Sequence, residues 1–373
     1  MSLSSLRANY PVLERLAYLN AGTDGPLPAA AAQASAAELE REAREGRAMA
    51  HFERRRELSE QLRTAYAAVL GCESEHLALT TCTSEGLAQV IGGLMRDPGG
   101  RSMPDGLGPG DEILTSDEEH PGLLGALGAA RELHGVSVRM APLTRIAEAV
   151  GPRTRLIACS HVGWMSGCVA QRELAEVEVP VLLDGAQGAG AIPVEVHTLG
   201  CDAYAGAGQK WLCGPDGTGM LYVSPELRGR LRVQRRGYGS LADPDAGLDA
   251  TVHSDARALD TMALSAETLA CALAAVRVLQ DAGWPAVHAR ARELAGHLAG
   301  LLEHEHGREV GPRGNTTLVS FASPDPEAER ERLRAAGVIL RNIPSRPWLR
   351  ASVGAWNDEG DLDRLLAALS PRP

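Results

Sequence analysis

The chain has 373 residues, 44% of them hydrophobic, with a formal net charge of -11 and only two Phe. That length allows a large aliphatic core and two domains. The acidic balance argues against nucleic acid as the main partner.

Along the chain, the loop Ala21–Pro28 precedes an Ala-, Glu- and Arg-rich stretch, 29–70, that reads as one long helix or two. Its run Arg54–Arg56 is flanked by Glu53 and Glu57, which marks a solvated helix face rather than an anion site. Short apolar runs then alternate with helical stretches. Strands are expected at 77–80, 112–116, 136–140, 154–159, 180–184, 201–205 and 219–223. Helices are expected at 84–95, 121–133 and 142–149, and a Gly- and Pro-rich loop at 97–110. This alternation predicts an α/β layered fold with several parallel strands.

After a Gly- and Asp-rich stretch at 237–249 come two helices, near 256–281 and 284–304. A strand at 315–321, a helix at 326–335, short strands near 338–341 and 348–353, and a helix at 359–369 follow. The expected division is a large domain over 21–245 and a small α+β domain from 1–20 and 246–373.

Seven cysteines (Cys72, Cys82, Cys159, Cys168, Cys201, Cys213 and Cys271) form no CxxC pair, so neither a disulfide framework nor a structural zinc site is expected. The N-terminus lacks a signal-peptide pattern, and no apolar run reaches the roughly 18 residues of a membrane span. A reducing cytoplasm is the expected location.

Lys210 is the only lysine among 37 basic residues. Where arginine serves every other cationic position, a retained amine points to chemistry that arginine lacks: losing a proton, attacking a carbonyl and forming an imine. Three segments ending predicted strands sit where ligands bind open α/β sheets. Leu79–Gly86 offers hydroxyls and free N–H groups at a helix start, either a phosphate seat or an ordinary cap. Val181–Gln187 ends a strand on Asp184. Tyr204–Gly219 surrounds Lys210 with small residues that allow a bulky group to approach. A lysine together with a carboxylate able to hold a heteroaromatic nitrogen protonated is the pair that pyridoxal 5'-phosphate requires.

With these motifs the chain resembles the class V aminotransferases, in the cysteine desulfurase-like group of fold type I PLP enzymes. The resemblance implies the PLP-dependent transferase fold: a large, mostly parallel-sheet domain and a smaller α+β domain. It places Lys210 on the Schiff-base lysine, Asp184 opposite the pyridine nitrogen, Gln187 at the phenolic oxygen and His120 stacked on the ring. Thr83 and Ser84 match the phosphate-binding pair, and Arg350 the arginine that grips a substrate carboxylate. Gln209 stands where histidine is usual, Ala207 where Ser or Thr is common, and Trp164 where asparagine is often found, as a pocket-shaping or core residue. A rebuilt phosphate seat is therefore expected, using Gln209 and a residue from a second subunit. The stretch Arg236–Ser240 resembles the segment that reaches across a homodimer, which makes Ser240 a cofactor-binding candidate.

A persulfide-forming cysteine desulfurase needs a late loop cysteine, and none follows Cys271; the corresponding stretch is Gly337–Pro347. Tyr18–Thr23 and Trp211–Pro215 instead resemble cystine C–S lyases, epimerase-like members and thiohistidine-pathway lyases. The expected activity is β-elimination from a cysteine-derived amino acid. Transamination or epimerisation is the alternative, persulfide transfer is less favoured, and a non-enzymatic binding role is the furthest reading.

Overall fold

The computed structural model describes residues 3–96, 106–261 and 264–369. Part of the loop expected at 97–110 lies outside them. In chain order the chain forms α1 (Leu3–Leu6), β1 (Ala17–Tyr18), α2 (Ala29–Glu45), α3 (Met49–Leu70), β2 (Leu77–Thr80), α4 (Thr83–Leu94), β3 (Glu112–Ser116), α5 (Pro121–His134), β4 (Ser137–Ala141), β5 (Thr154–Ser160) and β6 (Val181–Asp184). There follow α6 (Val196–Leu199), β7 (Ala203–Ala207), β8 (Gly219–Val223), α7 (Pro225–Arg230), α8 (Ala266–Ala282), α9 (Trp284–His304), β9 (Leu318–Ala322), α10 (Pro326–Ala335), β10 (Val338–Ile339), β11 (Arg341–Asn342), β12 (Trp348–Ser352) and α11 (Glu359–Ala368).

The expected 29–70 helix is two, broken at Gly46, whose φ of 76° leaves the helical region. The stretch 142–149 forms two short 3-10 turns rather than a helix. The expected helix 256–281 is a 3-10 turn at Ala256–Leu259 followed by α8, which starts where the Ser265 side chain accepts from Thr268 N–H.

Seven strands form the main sheet in the order β2-β8-β7-β6-β5-β3-β4. Only β8 runs antiparallel to its neighbours; the other pairings are parallel. Adjacent residues alternate between two apolar clusters. Ile113, Leu156, Ala158, Leu182 and Leu221 pack with Leu87, Val90 and Leu94 of α4 and Leu123 and Leu127 of α5. Leu114, Ile157, Cys159, Leu183 and Tyr222 pack on the other face with Leu62 and Tyr66 of α3 and Leu269, Leu273 and Val276 of α8. The period of two therefore buries both faces, as a helix-covered parallel sheet requires. Packing crosses the division expected at residue 245, because α8 belongs to this second layer.

A smaller sheet, β11-β12-β9, is antiparallel. β1 pairs in parallel with β10, so the N-terminal segment is tied to the C-terminal unit. From there the chain runs through Leu19, Ala21 and Gly22 to the main sheet. This route brings the N-terminal loop and β11–β12 over the carboxyl ends of the main strands.

Candidate active site

A cleft opens at those carboxyl ends. It is lined by Cys82, Thr83 and Ser84 after β2, His120 after β3, Trp164 after β5, Asp184 at the end of β6 with Ala186 and Gln187 beyond it, and Ala207 at the end of β7 with Gln209 and Lys210 beyond it. Gly22, Thr23 and Arg341 close it from the other unit.

The turn after β7 fixes Lys210. Its carbonyl accepts Cys213 N–H at 3.1 Å, and Gly214 N–H returns to Gly208 O at 2.9 Å. Cys213 takes φ 56°, in the left-handed region, so the tight bend is held against its own preference. Burial lowers the Lys210 amine to about 8, Asp184 opposes that, and Arg350 adds to it. Asp184 is 5% exposed. Its Oδ1 accepts Ala186 N–H at 2.9 Å; burial raises its pKa and Lys210 opposes the rise.

His120 caps α5 by accepting Gly122 N–H on Nδ1 at 3.1 Å, with Pro121 at the first helical position. Accepting on Nδ1 leaves any ring proton on Nε2. Burial, and then Lys210, push this histidine down to about 4, so it is neutral near pH 7. Its ring meets that of Trp164 edge to face, centroids 5.3 Å apart at 84°. Gln187 donates to Gly22 O at 2.7 Å and accepts from Trp211 Nε1 at 3.0 Å, leaving one N–H for a ligand.

Arg350, on β12, is fully buried. Its Nη1 donates to Trp164 O, while Nε and Nη2 have no partner. Burial and then Arg341 push its guanidinium below the usual arginine range. Such a group calls for a counter-anion. A Cβ added at Gly22 would lie 2.7 Å from Arg350 Nη2 and 2.9 Å from Gln187 Oε1, so only glycine leaves this cradle open. Arg350 thus sits against the cleft wall rather than among its lining residues.

Arg341 was not singled out from the sequence, although it lies in the stretch searched for a cysteine. Its Cζ stands 5.4 Å from the Trp164 ring centroid. No sequence signal separates it from the other arginines. Ser240 does not join this cleft in its own chain. Its buried hydroxyl pairs with Gly237 N and O, both at 2.9 Å, and its neighbours Tyr238, Gly239 and Leu241 line a separate groove with Phe52 and Arg63.

The residues present fit pyridoxal phosphate. Thr83 Oγ1 is buried without a partner, and its hydroxyl stands at the N-terminus of the 12-residue α4, a seat for a phosphate. The carboxylate of Asp184 and the amine of Lys210 line the same space. Among the described residues no His, Cys, Asp and Glu group could hold a metal ion, and no helix is long and apolar enough to cross a membrane.

Comparison with known proteins agrees with this geometry. The family described as "Aminotransferase class-V" matches residues 17–365. The isopenicillin N epimerase of Streptomyces clavuligerus is 28% identical over 345 residues, 83% of each chain. A probable cysteine desulfurase 2 of Mycobacterium leprae is 29% identical, over 99% of this chain and 96% of that protein. The cystine C–S lyase C-DES with its reaction product cysteine persulfide superposes with a TM-score of 0.87 at 28% identity, covering 97% of this chain and 100% of that one. A C-DES variant with glycine covalently linked to the PLP cofactor gives 0.88.

Proposed function

The chain belongs to the class V aminotransferase family of pyridoxal-phosphate enzymes, and from that premise we propose that it is a C–S lyase. It would eliminate a sulfur group from the β-carbon of a cysteine-derived amino acid such as cystine. The carrying observation is two guanidiniums close enough to lower the Lys210 amine: Arg341 lines the cleft, and Arg350 is buried behind its wall at Gly22. A substrate with two carboxylates matches that charge. The kinship with C-DES and the absence of any cysteine after Cys271 support lyase chemistry over persulfide transfer.

When bound, pyridoxal phosphate supplies the electron sink that stabilises the pair left at Cα. Thr83, Ser84 and the Gln209 amide N–H would hold its phosphate, Asp184 would keep a proton on its ring nitrogen, and Gln187 would offer its remaining N–H to the phenolic oxygen. Arg350 holds the substrate's α-carboxylate and Arg341 the distal one. Lys210, neutral above about pH 8, takes the Cα proton. The Cα–H and Cβ–S bonds break, a Cα–Cβ double bond forms, and sulfur leaves with the bonding pair. Neutral His120 can pass a proton at Nε2. Water converts the three-carbon remainder to pyruvate and ammonia.

A homodimer with shared sites belongs to the same reading. It is supported by exposed Phe52 and Tyr238 beside the segment that carries Ser240. Seven free thiols agree with a cytoplasmic home, and the acidic charge with a small amino acid as partner rather than nucleic acid.

Incubation with cystine should release pyruvate and ammonia in equal amounts. Accumulation of the amino form of the cofactor without pyruvate would overturn the lyase reading in favour of transamination. Epimerisation is the second reading, favoured by the isopenicillin N epimerase kinship; solvent deuterium at Cα of recovered substrate, again without pyruvate, would select it.

A further inference from the structure

The carboxyl edge of the main sheet holds two buried carboxyl groups, and the chemistry above uses only Asp184. The register between β3 and β5 runs to Leu114 and Ile157. Beyond it, the side chain of Glu119 spans the two strand ends. Its Oε1 accepts Ser160 N–H at 2.9 Å and the Ser116 hydroxyl, and Oε2 accepts the Ser160 hydroxyl at 2.7 Å. The Ser116 oxygen itself accepts Glu118 N–H at 3.2 Å, so its proton points to Glu119. Ser160 is in turn the register partner of Asp184 across β5 and β6. Glu119 also directly precedes His120. One carboxyl therefore touches the strand beside Asp184 and anchors the turn that presents His120.

Glu119 is 5% exposed, and among the described residues no basic side chain forms an ion pair with it. Three donors converge on it, the environment of an ionised carboxylate. The titratable groups around it are Asp184 on β6, Cys159 on β5 and His161 just after it, and Glu118 and His120 on its own turn, with Lys210 beyond Asp184. Burial pushes its pKa up to about 7 against those donors, and Asp184 adds repulsion. Asp184 is therefore the charged group that Glu119 feels from the neighbouring strand.

We propose that Glu119 is a positioning residue: its charge sets the potential at Asp184 and its hydrogen bonds lock the His120 turn, so that it tunes the proton affinity of the cofactor. This inference rests on the pyridoxal-phosphate reading of the cleft. Glu119→Gln keeps an acceptor for Ser160 N–H and Ser116, and its amide can donate to the Ser160 hydroxyl, while the charge is lost. The measurement is the pH midpoint of the visible absorbance of the loaded enzyme.

Removing a nearby negative charge disfavours protonated groups, so the midpoint should fall by about 0.5–1 unit. Glu118→Gln is the comparison. Glu118 accepts from Ser166 N–H at 3.2 Å and has Asp117 and Arg346 as charged neighbours; its midpoint should move less than about half as far. If Glu119→Gln does not fold, Ser160→Ala tests the same point: losing a donor disfavours the Glu119 charge and should shift the midpoint downward too. A midpoint within about 0.2 unit of wild type, or an equal shift in Glu118→Gln, overturns the proposal. A wild type without visible absorbance would instead overturn the cofactor reading; a coloured wild type with an unmoved variant sinks only the role of Glu119.

Discussion

Arg350 carries an unmatched buried charge, and Gly22 keeps the approach to it open. Arg350→Lys retains a cation but loses the planar fork, so the KM for the amino acid should rise about tenfold to a hundredfold. Gly22→Ala should raise KM about tenfold, because the added methyl displaces Nη2. Steady-state kinetics on a single-carboxylate substrate such as S-methylcysteine would separate these effects from Arg341, whose loss should matter only for cystine. Lys210 sets a pH dependence: its lowered pKa leaves the amine neutral above about 8. Cofactor uptake by the apoenzyme, followed by absorbance, should quicken about tenfold per unit up to that pH and then level off. Lys210 and Asp184 were legible in the sequence because each has distinctive chemistry at a strand end. Arg341 and Glu119 were not, since their meaning comes from partners far along the chain: Trp164 for one, Ser160 for the other.

At the scale of elements, apolar runs ending in turn residues gave β2, β3 and β8 their observed limits. The misread pieces have physical causes. Pro142 opens a tight turn, and local bonds such as Arg145 N–H to Pro142 O close 3-10 turns instead of a helix. Ahead of α8, Asp260 is taken up by tertiary contacts. It accepts Leu79 N–H and both terminal nitrogens of the buried Arg63 of α3, at 2.8–2.9 Å. Helical continuity gives way to this link between α3, β2 and the approach to α8. Asp260→Ala leaves the buried Arg63 only Glu60 and Leu77 O as partners and should cost about 2–3 kcal/mol, read as a lower denaturant midpoint. Arg63→Met together with Asp260→Leu should recover much of it.

At the scale of the whole molecule, exposed Met49, Phe52 and Tyr238 border the groove next to Ser240. Under the dimer reading, Phe52→Glu should halve the mass seen by sedimentation velocity and weaken cofactor retention together. A wild type that sediments as a single chain would defeat that reading. The main sheet was legible from alternating strands and helices, and the smaller antiparallel sheet from the different pattern that follows. The allegiance of α8 to the main sheet was not, because helical periodicity fixes a buried stripe but not the surface that covers it.

The solitary amine of Lys210 makes the exterior of this protein nearly inert to acylating and reductive-alkylating reagents. Apart from the chain's own α-amino group, the enclosed side chain is the sole amine that such a probe can modify. Label counting by mass spectrometry would thus report occupancy of the cleft one molecule at a time, with the α-amino group as the single other amine to subtract.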